Sequence, residues 1–553
     1  VGVPFVKHSL RISSAALVFT TSLILIACGG GGGGSDDSNP PPAPTYTIGG
    51  TITGLTGTVV LRNNAVSVLS VSADGSFTFS APVANGSAYN VAVFVQPASQ
   101  ICAVANGSGT VAGGNVTGIL VTCTTLLGTA QLIETDDSGD AMAPQVAYDG
   151  SGNALAVWSQ WDGARYNIYA NRYSVATNTW GAAALIEANN VGDALNPQLA
   201  INASGDALVV WQLDGNAGTG VRFDIWANRY TATTNTWGTA AAIENNNIGE
   251  ALNPQIAIDA NGDAVAVWQQ DGNEGFGLRF DIWANRYTTG AWSATPVLLE
   301  TDDAGRALNP QVAIATNGDA LVVWSQHDGA LYNIWTNRYS ASAWGGPALI
   351  ELENSGNAAD PQIAVDAAGD AIVLWRHYDG AFDSIWTNRY TATANTWGTA
   401  AAIESDNTGD ALNPQLAIDA AGNAIAVWQQ DGNTAAGVRF DIWANRYSAG
   451  SWGTPALIET NNAGNASIPQ IAINATGDAV AVWLQDDGES NSIFVNRYTA
   501  GVWGTAALLE ADNTGEALAP QIVIDVNGNA LAVWQQDGNS AAGVRFDIWA
   551  NRF

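Results

Sequence analysis

The sequence predicts an all-β chain: an eight-bladed β-propeller closed by pairing of its N-terminal and C-terminal strands, preceded by a small β-sandwich domain. Three observations predict it. A Pro-Gln pair followed by an apolar alternation recurs at Pro144, Pro197, Pro254, Pro310, Pro361, Pro414, Pro469 and Pro520, with a mean period of about 54 residues; periods of that size mark propellers and solenoids. Each repeat divides into four short apolar runs separated by turn residues, which is the make-up of a propeller blade. The two ends of the repeat region are complementary fragments of one repeat.

The repeat around Pro254 shows the strands in order. Gln255 to Ile258 is a first strand, and Asp259-Ala260-Asn261-Gly262-Asp263 is a tight turn. Ala264 to Trp268 is a second, fully apolar strand. A polar loop leads from Gln269 to Phe280, Asp281 to Tyr287 is a third strand, and Trp292 to Glu300 is a fourth. A helical solenoid would need a 3.6-residue period, which is absent. The chain stops at Phe553 on a third strand with no fourth, while Leu126 to Glu134 reads as a fourth strand with no blade before it. Joining the two closes the ring and removes exposed sheet edges.

The order Pro-x-apolar, Asp-x-x-Gly, an apolar strand ending in an aromatic, Asp-Gly and Asp-Ile-Trp resembles TolB-type propeller repeats, the periplasmic relatives of WD repeats. The likeness covers residues 126–553 and departs at the turn, where that family has Ser-Pro-Asp-Gly. It implies a binding scaffold and does not transfer a partner.

Before the repeats the chain reads as a leader, a tether and a small domain. Residues 1–27 carry a short basic region at Lys7, His8 and Arg11 and then an apolar stretch, as secretory signals do. The stretch ends in Leu25-Ile26-Ala27-Cys28, which resembles the bacterial lipobox. That resemblance implies lipidation of Cys28, export, and, with Gly29 next to it, sorting to the outer membrane, facing the periplasm or the cell surface. Residues 28–44 are a Gly- and Pro-rich tether. Residues 45–124 alternate as short strands with turns at Asn63-Asn64, Asp74-Gly75 and Asn85-Gly86, and predict the β-sandwich. Its Cys102 and Cys123 are the cysteines that remain after Cys28, and export predicts a disulfide between them. The segment resembles the small β-sandwich modules that follow the lipobox in bacterial lipoproteins, which implies a spacer.

Composition narrows the partners. The chain holds 50 acidic and 18 basic residues, a formal charge of −32, and its only lysine is Lys7 in the leader. Such a surface repels nucleic acid and anionic headgroups, so no nucleic-acid partner is expected, and membrane contact is expected through the lipid alone. At 47% hydrophobic residues the chain is too apolar to be a disordered acidic polymer.

Recurring residues are expected to be structural. The eight tryptophans from Trp158 to Trp534 that end the second strands suit wedges between blades, each indole N–H meeting a carbonyl. The arginines of Asn-Arg-Tyr, such as Arg229, are expected to stack on a tryptophan of their own hairpin, here Trp237. Function is expected where the symmetry breaks. The oxygen-rich loops between fourth and first strands suit Ca²⁺, with Asp136, Asp137, Asp302, Asp303 and Asp406 as candidate ligands; otherwise no cofactor is expected. The loop between second and third strands is long in four repeats, ending at Arg222, Arg279, Arg439 and Arg545. Two adjacent short-loop repeats carry His327, Asp328, Arg376, His377 and Asp379, which are expected to line a ligand groove. The reading is a monomeric, membrane-anchored binding scaffold for a glycan or a protein. The alternatives are a secreted propeller hydrolase or lyase with a site near His327 and His377, and a structural envelope protein.

Overall fold

A computed structural model describes residues 43–553, except positions 56, 65–66, 96, 98–99 and 126–127 and the segments 136–138, 188–191, 216–221, 246–248, 273–278, 302–304, 352–354, 405–408, 433–438, 460–463, 487–489, 511–514 and 539–544. Every helix or strand element among the described residues is a strand. From Gln131 onward they form eight repeated antiparallel sheets, an arrangement consistent with a propeller. We number these sheets by the order of their Pro-Gln pairs.

The third sheet is representative. Its strands are Ala251–Ile258, Ala264–Asp271, Phe280–Thr288, Ala291–Trp292 and Val297–Leu298. The second strand is buried along its whole length because neighbouring sheets cover both faces, which is why it is apolar throughout. Asp259 builds the turn before it: its Oδ1 accepts from the backbone N–H of Asn261 and Asp263, both at 2.9 Å, while Gly262 supplies a φ of 87°.

Two features depart from the sequence expectation. The first strand begins at Ala251, upstream of Pro254, and a bulge shifts its register between Leu252 and Gln255. Asn253 lies in the left-handed region there, at φ 51°, and Pro254, which has no N–H to offer the ladder, fits at such a bulge. The expected fourth strand is broken into two short pieces that pair with Tyr287 and with Trp283. Buried Asn285 bridges the break: its Nδ2 donates to the carbonyl of Ser293 at 3.1 Å and to that of Ile243, in the preceding sheet, at 2.7 Å.

That asparagine recurs in every sheet. Asn171, Asn228, Asn337, Asn388, Asn445, Asn496 and Asn551 each donate to the outer edge of the sheet before, at 2.7 to 3.0 Å. For Asn171 the acceptor is Ile133, beside the short strand Gln131–Leu132. That strand pairs with Ala550 and Trp549 of the last strand, Phe546–Arg552. One core joins Ile133, Ala156 and Trp158 to Val533 and Ile548, so the eighth sheet packs on the first. Gly128 approaches the Arg552 carbonyl so closely that no Cβ would fit.

The eight tryptophans are fully buried between sheets; truncating such a side chain costs about 3–5 kcal/mol. Six of the indoles donate to a glutamine side chain two residues on rather than to a backbone carbonyl, as Trp324 does to Gln326 at 2.9 Å. The arginines also differ from expectation. Arg286 lies over Tyr339 of the next sheet at 3.8 Å, and Arg552 of the eighth sheet lies over Tyr173 of the first at 5.6 Å. Trp237 packs on Tyr230 instead. The hairpin tryptophan lies opposite the tyrosine in the ladder, leaving the guanidinium free to cross to the neighbouring sheet.

Residues 45–125 form separate sheets. One has the order Gly75–Thr78, Ile48–Thr53, Val116–Thr125 and Gln100–Ala105, and another Ser67–Val71, Val59–Asn63, Ala88–Val95 and Ser108–Thr110. Ile52 and Val121 from the first share a core with Leu61 and Val91 from the second. Cys102 and Cys123 face each other in the ladder and form a disulfide.

Candidate functional site

The bulges converge. The left-handed residues of the first six sheets, with the glutamines Gln198, Gln255, Gln311, Gln362 and Gln415 that follow the prolines, line a cavity of about 450 Å³, to which Asn196, Asn253, Asn309, Asp360 and Asn413 all contribute. At the far ends of the same first strands lies an apolar cavity of about 420 Å³ lined by Ile201, Ile418, Ile473 and Tyr148. Burial there pushes the Tyr148 hydroxyl up to about 12, against the opposing pull of Arg552.

The residue after each core tryptophan controls the polar end. Where it is glutamine, its amide oxygen bridges two sheets. Gln269 accepts from Asn253 Nδ2 of its own sheet at 3.2 Å and from the N–H of Asn309 in the next at 3.1 Å. Gln212, Gln429 and Gln535 reach the next sheet in the same way, Gln535 to Ala143 of the first. Four sheets lack it: the first has Ser159, the fourth Ser325, the fifth Arg376 and the seventh Leu484, so the fourth and fifth are adjacent sheets without it. Serine is too short to cross, and a cavity of about 410 Å³ lies between these two sheets.

The fourth sheet lines this cleft with Asn309, Ser325 and Tyr332, and the fifth with Asn357, Arg376, Tyr378 and Asp383. Asn309 also lines the cavity where the bulges converge, so the two are neighbours. The Arg376 guanidinium is held by two carboxylates, Nε to Asp360 at 3.0 Å and Nη1 to Asp383 at 2.9 Å. Burial alone would lower its pKa, but the attraction of Asp360 and Asp383 outweighs it and the pKa rises. Asn357 Oδ1 accepts the backbone N–H of Tyr332 at 3.0 Å, anchoring the chain that carries this ring, and the exposed Tyr378 donates its hydroxyl to the Gly380 carbonyl at 3.1 Å. The site thus offers two phenol rings, a fixed guanidinium, carboxylates and amides around one space.

The five residues expected to share a groove are split up. Arg376 lines the cleft. His377, next to it on the strand, points to the opposite face, is fully buried against Trp386 and lies 3.0 Å from Ser355 Oγ. It occupies the place that glutamine holds in the sheets where the tryptophan N–H is satisfied, and the Trp375 indole N–H finds no acceptor among the described residues. His327 sits behind the lining, edge-on to Tyr332 at 5.0 Å, with Nδ1 accepting from the Gly329 N–H at 3.1 Å. Asp328 and Asp379 use their carboxylates to hold turns. The backbone N–H groups of Leu331 and Ala330 keep Asp328 below the usual carboxylate range. Tyr332, Tyr378, Asp360 and Asp383 were not expected here; the signal for them is that two adjacent repeats lack glutamine after Trp324 and Trp375, with the charged Arg376 in its place in one of them. Asp136, Asp137, Asp302, Asp303 and Asp406, Cys28, and most of the four long loops lie outside the described residues.

No family model matches the chain, and no curated protein matches it. Among solved structures it is similar to a protein of unknown function from Dyadobacter fermentans, with a TM-score of 0.38 and 11% identity over 77% of this chain and 98% of that one. It is similar to an ulvan polysaccharide lyase at a TM-score of 0.42 and 9% identity, over 62% of this chain and 89% of the other. An arabinanase from Penicillium chrysogenum is similar at 0.35 and 14%, over 55% and 93%.

Proposed function

We propose that this protein engages carbohydrate at the cleft between its fourth and fifth sheets. The observation that carries the reading is a concave, partly aromatic space of about 410 Å³ in which Tyr332 and Tyr378 stand beside an ion-paired arginine and two amide side chains. Sugars present apolar ring faces and a fringe of hydroxyls, which match tyrosine rings and fixed polar groups respectively. The cleft also holds a carboxylate and two phenols, the group types used for acid–base work on a sugar. A hydrolase or lyase is therefore supported here no less than a binding scaffold, with Asp383, Tyr332 and Tyr378 in place of the histidine pair.

The wider setting belongs to the same proposal. The eight sheets are the blades of a closed eight-bladed propeller of TolB-like repeats, and residues 45–124 are a β-sandwich spacer. Cys28 carries the lipid, residues 28–44 are the tether, and the protein is anchored as a monomer to the outer membrane, facing the periplasm or the cell surface. Any calcium belongs to the acidic loops at Asp136, Asp302 and Asp406.

A polysaccharide panel tests this, with capture and release of new chain ends measured together, in Ca²⁺ and in chelator. Capture or cleavage that falls at least about tenfold in Tyr332→Ala and Arg376→Ala supports the cleft. A blank panel, or binding indifferent to both substitutions, overturns it. Loss of binding in chelator would support calcium on the loops.

A further inference from the structure

The charge inventory of the cleft restricts which sugar fits, an inference that rests on the carbohydrate reading above. Arg376 is the one cation among the lining residues, and its single charge is already shared by two carboxylates, Asp360 at 3.0 Å and Asp383 at 2.9 Å. A third carboxylate stands next in line, since Asp410 Oδ1 accepts the backbone N–H of Asp383 at 3.0 Å. An incoming carboxylate or sulfate on the remaining guanidinium N–H groups would be a third anion on one cation, beside the two carboxylates already there. The cation is already outnumbered, so a further anion adds like-charge repulsion in a partly desolvated space. A protonated amine meets the opposite balance, with Asp383 at the cleft surface and no free cation to oppose it. The field of the whole chain, at −32, acts in the same direction on approach.

We propose that the cleft selects glycans free of carboxylate and sulfate, and prefers those bearing a protonated amino group. Calorimetric titration of the full chain tests this with three oligosaccharides of equal length: one neutral, one uronate-bearing and one built of glucosamine. The titrations are run below neutral pH, where the amine is protonated. The expected order of affinity is amino sugar, then neutral sugar, then uronate, with about tenfold or more between the first and the last. Tightest binding of the uronate overturns the selectivity while leaving the carbohydrate cleft in place. Failure of all three to bind overturns the cleft itself and the selectivity with it.

An acidic protein also attracts polycations over its whole surface, and Asp383→Asn separates the two effects because it alters the total charge by a single unit. Loss of amino-sugar binding by about tenfold in this variant places recognition in the cleft. A change under about twofold, with the variant still showing wild-type unfolding, assigns the binding to the general surface and overturns the proposal.

Discussion

His377 illustrates how one side chain can satisfy or leave unsatisfied the core around it. In the neighbouring fourth sheet the buried Gln326 accepts from Trp324 and donates to Glu300 at 2.9 Å, so one amide serves two groups. An imidazole at the equivalent place leaves the Trp375 N–H without an acceptor among the described residues. His377→Gln is expected to hold or raise stability, by up to about 1 kcal/mol, because it restores that bond while losing the contact to Ser355. It should leave the proposed carbohydrate binding within about twofold, since the side chain points away from the cleft. Denaturant unfolding and titration of the variant check both expectations, and a loss of binding or turnover would return the histidine to the site. Adjacent histidine-bearing repeats looked like a constellation in the sequence because neighbours in a line of letters look like neighbours in space. On a strand, Arg376 and His377 face opposite ways, and only Arg376 reaches the cleft.

At the scale of the element, the bulged first strand sets both the symmetry and its breaks. Its left-handed residue is asparagine or aspartate in five of the eight sheets, types that tolerate that conformation. The seventh sheet places Ile468 there, at φ 51°, and a β-branched side chain is strained in that region. Ile468→Asn should raise stability by roughly 1 kcal/mol, read as a higher unfolding midpoint, and an unchanged or lower midpoint would mean that the bulge has relaxed around isoleucine. The strands, their order and the tryptophan cores were legible from the repeat because recurrence of apolar runs reports burial directly. The bulge was not, because Pro-Gln reads as a strand start. Nor was the Asn285 staple, since a buried asparagine within a strand carries no hydrophobic signal. The cleft was hidden for a different reason: it lies where Ser325 and Arg376 fall in adjacent sheets, at a position that four of the eight repeats fill with glutamine.

For the whole molecule, the decisive contact joins residues more than four hundred positions apart. The strand Gln131–Leu132 completes the eighth sheet, Ile133 accepts from Asn171, and the Ile133 side chain fills the core between eighth and first sheets. A chain beginning at Thr135 should therefore be less stable than one beginning at Gly128, by about 3 kcal/mol, combining a buried aliphatic side chain and a lost hydrogen bond. Thermal unfolding of the two truncations measures it, and equal midpoints would show that the last sheet needs no partner strand. The same contact also governs time. Seven sheets draw their strands from consecutive stretches of chain and can form as each stretch becomes available, whereas the eighth joins Gln131–Leu132 to Phe546–Arg552 and waits for the later of the two. Local pairings form fast and distant ones slowly, so this molecule acquires most of its core early and its closure last. Until Phe546–Arg552 arrives, the open edge of the first-made segment is a place where a second chain can pair, and the interval before closure is when the protein is most exposed to aggregation.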